Sequence, residues 1–172
     1  MIDVRVEDLA FFTGDAIIRP ATATLGATTP LLRRLELSGG QRLLDQLVTS
    51  EPLAVGSAVV TGAGELPVEL MVHAIVSSPT ERVSRDGVRR AFRSALERAS
   101  AWQIAAVAIP PLGLGAGNLD IDESALLMAD ELARHCAAAS YPRAITLIAE
   151  TADEAQSLEG ALARSAVIRS MA

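Results

Sequence analysis

Hydrophobic positions along this chain fall into two patterns. Some form short unbroken runs bounded by Gly or Pro; others recur every third or fourth residue over longer stretches. The first pattern predicts buried strands and the second amphipathic helices. Asp3–Glu7 and Ala16–Arg19 read as two early strands, parted by a turn around Thr13, Gly14 and Asp15. Ala27 to Thr49 is helical with a break at Ser38-Gly39-Gly40, giving pieces Pro30–Leu37 and Gln41–Thr49. Ser57–Thr61 and Glu69–Val76 are further buried strands. Arg85–Ser100 is a helix whose stripe is Val88, Phe92, Ala95, Leu96 and Ala99.

The strand Ala105–Ile109 runs into a loop with Gly113, Gly115 and Gly117 at alternate positions. Asp120 with Glu123 is an N-capping pair for the next helix, which buries Ala125, Ala129, Leu132 and Cys136. Ala144–Ala149 is the last strand, and Thr151 with Glu154 caps a helix reaching about Arg164. Strands without polar alternation belong to a sheet covered on both faces. The pattern therefore predicts a three-layer α/β/α sandwich with a mixed, mostly parallel central sheet. Neither a repeat nor a long linker divides the chain, so residues 1–172 are read as one domain.

Composition narrows the function classes. The net charge of −6 argues against broad non-specific nucleic-acid binding. One cysteine, Cys136, excludes an internal disulfide framework and fits a reducing compartment. On an apolar helix face it is expected to be buried filler. Without an apolar run of membrane-span length or a secretory leader, the expected location is cytoplasmic. The sequence permits a homo-oligomer.

Few residues carry chemistry. Alternate glycines between a strand and a helix start can aim backbone amides at an anion, or can simply relieve a tight connection. The loop lacks the Gly-Lys-Ser/Thr of a P-loop, and its spacing does not fit a Rossmann fingerprint. Asp8, at the end of the first strand, can accept from an exocyclic amine or serve as a turn residue. His73 lies in an apolar strand and is read as a satisfied core histidine. Neither it nor His135 has a metal-ligand or catalytic partner at useful spacing. Asp120, Asp122, Glu123 and Asp130 surround one helix start, where electrostatics accounts for the first three without a metal. Arg82, Arg85, Arg89 and Arg93 form a stripe, either solvated or a contact for an anionic partner.

Taken in order, several segments resemble the macro domain family. The run from Val6 through Asp8 to Asp15-Ala-Ile-Ile18 is similar to the family's Gly-Asp-Ile strand end and following Asp-Ala-Ile-Val. Val55 to Pro67 resembles its Gly-Glu-Ala-Val-Thr segment and Leu-Pro, and Met71-Val72-His73 its strand ending in Ile-His. Pro110 to Gly115 resembles its Pro-Ala-Ile-Gly/Ser-Thr-Gly phosphate loop. The agreement spans about residues 3–165.

The resemblance implies a small-molecule ligand, ADP-ribose or a related adenine nucleotide metabolite, and no further cofactor. Asp8 would contact the adenine amine with the Leu9 amide nearby. Gly113, Leu114, Gly115, Ala116 and Gly117 would hold the diphosphate, with Asn118 at the loop's edge. Thr22 and the loop of Gly26, Ala27 and Thr28 would face the distal ribose. Three departures accompany these matches: Arg19-Pro20-Ala21-Thr22 replaces the family's Asn-Ala-Ala-Asn, the first glycine loop is shortened, and the ribose-covering aromatic is absent. No catalytic residue is assigned. A hydrolase of ADP-ribosylated proteins or O-acyl-ADP-ribose is the alternative activity, and a degenerate assembly domain the third reading. Arg19 can meet a phosphate or pair with a carboxylate, and the sequence leaves both open.

Overall fold

The computed structural model describes residues 1–171, with side chains through Ala166 in the final helix. Its strands are β1 (Ile2–Val6), β2 (Ala16–Thr22), β3 (Ala58–Gly62), β4 (Leu70–Ser77), β5 (Ala106–Ile109) and β6 (Ala144–Ala149). They form one six-stranded sheet in the order β1-β6-β5-β2-β4-β3. Only β3 runs antiparallel, against β4. The helices are α1 (Pro30–Ser38), α2 (Gly40–Gln46), α3 (Arg85–Ala101), α4 (Ile121–Ala138) and α5 (Ala152–Met171). This is the expected mixed, mostly parallel α/β/α arrangement.

Strand alternation sorts the core into layers. Ala16 and Ile18 of β2, Val72 and Ala74 of β4, and Val107 and Ile109 of β5 pack against α3, α4 and α5. Their neighbours Ile17, Met71 and Ala108 face the other way, against Leu32 and Leu35 of α1 and Leu43 of α2. The helix starts follow their capping residues. Thr29, Ser84 and Asp120 accept from the amides of Leu32, Gly87 and Glu123. At α5, Thr151 accepts from Glu154, while the Glu154 carboxylate reaches back to the Glu150 amide. The break between α1 and α2 falls at Gly39, and Gly40 has φ of 69°.

Several boundaries differ from the sequence pattern. β2 continues past Arg19 to Thr22, and α2 stops at Gln46 instead of Thr49. α5 runs beyond Arg164. Cys136 is exposed, not buried. Leu132 is the last fully buried residue of α4, so the final turn lies past the packed layer and its periodicity no longer reports a core.

β2 extends because its polar residue is answered inside the fold. Arg19 and His73 are register partners on adjacent parallel strands and both are fully buried. Arg19 Nε donates to His73 Nδ1 at 2.8 Å, Nη1 to Glu36 Oε1 of α1 at 2.7 Å, and Nη2 to the Leu25 carbonyl at 2.8 Å. With Nδ1 accepting, His73 donates from Nε2 to Thr61 Oγ1, 2.8 Å away. The Thr61 hydroxyl in turn donates to the Gly62 carbonyl at 2.9 Å. A polar band thus crosses the α1 face of the sheet and separates the Ile17–Met71 cluster from one formed by Ala21, Ala23, Leu25 and Ile75. Arg19 pairs with a carboxylate, and the open choice at that position is resolved.

Removing one partner from this band should be costlier than removing the charged pair. Glu36→Ala strands a buried guanidinium and should lower unfolding free energy by ~3–5 kcal/mol in urea titrations, whereas the apolar pair Arg19→Met with Glu36→Leu should recover part of that, His73 Nδ1 and the Leu25 carbonyl losing their donor. Equal loss in both variants would contradict a buried, mutually dependent pair. The pH dependence has a definite sign. Burial, and then the Arg19 charge, hold the His73 pKa well below its ordinary 6.5. Below that value the unfolded chain binds a proton that the native chain refuses, so stability falls as pH drops. The His73 contribution should be about 1.4 kcal/mol per pH unit down to the folded pKa. His73→Asn should show a correspondingly shallower slope between about pH 6.5 and 5; an unchanged slope would mean that native His73 is protonated.

Candidate functional site

The sheet opens where β2 and β5 part. They pair only at Ala16 with Val107 and Ile17 with Ala108, and Pro20, which has no amide to donate, lies beyond the last pairing. From these neighbouring strand ends the chain departs to opposite faces, to α1 after β2 and to α4 after β5. Such a divergence leaves a crevice beyond the carboxyl ends of parallel strands. The loops of residues 23–29 and 110–120 form its walls.

The second loop is anchored at its base. Ser124 Oγ of α4 donates to the Leu112 carbonyl at 2.6 Å, and Leu119 and Asn118 donate to the Gly113 and Gly115 carbonyls at 3.0 Å. Gly113, Gly115 and Gly117 have φ of 84°, 137° and 76°, with ordinary residues Leu114 and Ala116 between them. Alternating backbone handedness turns successive amides toward one concavity, a geometry that suits an anion. Among the described residues, none of the amides from Gly113 to Gly117 donates to another protein group. An added Cβ on Gly115 would stand 2.8 Å from Asn118 Nδ2 and 3.4 Å from the Thr28 carbonyl, so the two loops meet there.

The first loop is held from beneath. Thr22 Oγ1 accepts from the Gly26 amide at 2.9 Å, and the Thr22 amide donates to the Gly26 carbonyl at 3.0 Å. Thr22 therefore closes this turn, with Gly26 and Ala27 at its exit. Leu25 sits at φ of 65°, a conformation costing a branched side chain about 1 kcal/mol. Burial of its side chain and the Arg19 bond to its carbonyl offset that strain. Thr28 Oγ1 is buried and, among the described residues, is the side-chain polar atom left without a partner. The carbonyl of the same residue is the one that meets the glycine loop.

A groove of about 230 Å³ continues from this junction across the ends of β5 and β6. Pro110, Pro111 and Leu114 form one side, Thr29, Leu31 and Leu32 another, and Glu150 and Glu154 the third. Asp8 is near but does not line it. Asp8 caps a 3-10 turn, Leu9–Phe11, by accepting from the Ala10 amide at 2.9 Å, while the Leu9 side chain is buried beneath. Phe11 follows by three residues on the same turn and is 76% exposed. Phe11, Glu150 and Glu154 were not marked by sequence reasoning. Adjacent Phe11 and Phe12 differ only in burial, Glu154 reads as a helix-cap residue, and no local pattern singles out Glu150.

Three of the four stripe arginines are paired with acidic residues of α4, while Arg82 is exposed. Arg85 pairs with Glu123, Arg89 with Asp130 and Glu131, and Arg93 with both Glu131 oxygens at 2.8 and 3.0 Å. Burial works to raise the Glu131 pKa, but the Arg93 bonds and the surrounding arginine charges hold it below the usual value. A larger groove of about 460 Å³ between α3 and α4 lies near the ends of these helices, on the edge of the sheet opposite the crevice. His135 Nε2 donates to the Tyr141 carbonyl at 2.8 Å. Asp120 is spent on its cap and Glu123 on Arg85.

The Macro domain family profile matches residues 33–128. An uncharacterized protein of Aeropyrum pernix is 28% identical over 92% of this chain and 84% of its own length. A mutant of the Oceanobacillus iheyensis macrodomain, solved with ADPR, has a TM-score of 0.81 at 16% identity, covering 94% of this chain and 91% of that one. The Trypanosoma brucei macrodomain in complex with ADP-ribose has a TM-score of 0.82 at 16% identity, covering 92% of this chain and 68% of that one. The structural likenesses establish a shared fold.

Proposed function

The chain belongs to the macro domain family, and we propose that its crevice binds ADP-ribose or a related adenine nucleotide metabolite. The observation that carries this reading is the run of unengaged amides from Gly113 to Gly117, with the unpartnered Thr28 hydroxyl in the neighbouring loop. Together they offer donors and no carboxylate to a diphosphate, at the sheet's switch point. Asp8 accepts from the adenine amine, the Leu9 amide lies beside it, and the exposed Phe11 ring offers a stacking surface for the base. Asn118 closes the far edge of the amide loop. Solved macrodomains of the same fold with ADPR and ADP-ribose support the ligand class.

Binding is favoured over turnover. Thr22 stands where the resemblance places an amide side chain, and its oxygen already accepts from Gly26. The assembly reading loses part of its support, because three of the four stripe arginines, Arg85, Arg89 and Arg93, are paired with α4.

Free ADP-ribose at about a hundred times its dissociation constant should stabilise the fold by ~2.7 kcal/mol, read as a rise in melting temperature. Gly115→Glu should abolish that rise by placing a carboxylate in the amide nest. Thr28→Val should leave the ligand-free melting point nearly unchanged, since its hydroxyl bonds to nothing, yet weaken binding several-fold, by about 1 kcal/mol. Absence of a shift with ADP-ribose, ADP, AMP and NAD would remove this function.

A further inference from the structure

Resting on that reading, the geometry points to a restriction on the ligand: Glu150 and Glu154 select an adenosine ribose with a free 2′-hydroxyl and exclude its 2′-phosphate. The neighbouring strands β1, β6, β5 and β2 carry at their ends, in that order, Asp8, Glu150, Pro110 and the first loop. With Asp8 on the base and the amide nest between β5 and β2 on the diphosphate, the intervening ribose lies over the end of β6. Strands are spaced by about 4.8 Å, so base and diphosphate sites are separated by roughly two to three spacings. That interval holds the small groove, whose 230 Å³ is below the several hundred Å³ typical of pockets for whole drug-sized ligands and suits one sugar.

The groove's charged lining is two carboxylates and no cation. Glu154 spends one oxygen on the Glu150 amide, and Glu150 spends one on Arg34 at 3.2 Å, leaving one oxygen on each as an acceptor. Carboxylates accept from the hydroxyls of a ribose diol and repel a phosphate ester, as the acidic residue does in dinucleotide-binding folds. Arg34 lies outside the groove, is 65% exposed, and its charge is directed at Glu150. The same lining explains why the phosphate-binding donors are confined to the other loop: a ligand entering with its diphosphate over Glu150 meets like charge.

Competitive calorimetric titration of ADP-ribose and its 2′-phosphate on the full chain tests this. ADP-ribose should bind at least tenfold more tightly, about 1.4 kcal/mol. The double variant Glu150→Gln with Glu154→Gln keeps acceptors for Arg34 and the Glu150 amide, and should narrow the ratio to within threefold while still binding ADP-ribose. Arg34→Ala should preserve or widen the ratio. Equal affinities in the wild type, or a 2′-phosphate preference lost in Arg34→Ala, overturn the selection while leaving the proposed ligand class intact. Failure of both compounds to bind overturns the ligand class and the selection together.

Discussion

A guanidinium with no exposed surface must find a partner at each nitrogen, and Arg19 does so from three directions. Glu36 brings in α1, His73 brings in β4, and the Leu25 carbonyl brings in the loop that leaves β2. One side chain thus connects a helix, a neighbouring strand and the first loop through the core. The charge pair by itself adds little net stability, because its desolvation offsets its attraction. Its consequence is geometric: α1 and the first loop can occupy only positions that keep all three bonds. The neutral His73 is part of the same constraint, since a protonated ring would have no lone pair for Arg19 Nε.

The crevice walls rest on this network and on the helix beside it. Its first wall is held from below by Arg19 and closed by Thr22, and its second is tied to α4 through Ser124. Between them the parting of β2 and β5 leaves a gap at the carboxyl edge of the sheet. Alternate glycines then let the second loop present successive amides without side chains in the way. A ligand bound there would meet amides that no other group of the described residues engages. The acidic groove beside them gives the site a polarity along its length, with donors at one end and acceptors at the other.

Much of this was legible in the sequence because local chemistry and global fold agree. The Gly39 break, the Asp120 cap and the burial of the sheet on both faces read directly from residue type and spacing. Arg19 did not. An arginine in an apolar strand offers both a ligand contact and a core ion pair, and only the approach of Glu36 in space separates them. Cys136 misled because helical periodicity continues where the packed layer has ended. The Arg stripe was visible, but its acidic partners on α4 lie 38 to 42 residues away, beyond any local pattern. Phe11 and the groove glutamates were hidden for the opposite reason: exposure, not spacing, sets them apart.

The central claim is that one crevice, spanning the ends of β1, β6, β5 and β2, receives an adenine diphosphate through its backbone. Amide chemical-shift mapping during titration with ADP-ribose tests it most directly. The account predicts large shifts at the amides of Gly113 to Gly117, with further shifts at Leu9 and at residues 23–29, and none in the groove between α3 and α4. Perturbations centred on α3 and α4, or an unmoved glycine loop under saturating ligand, would contradict it.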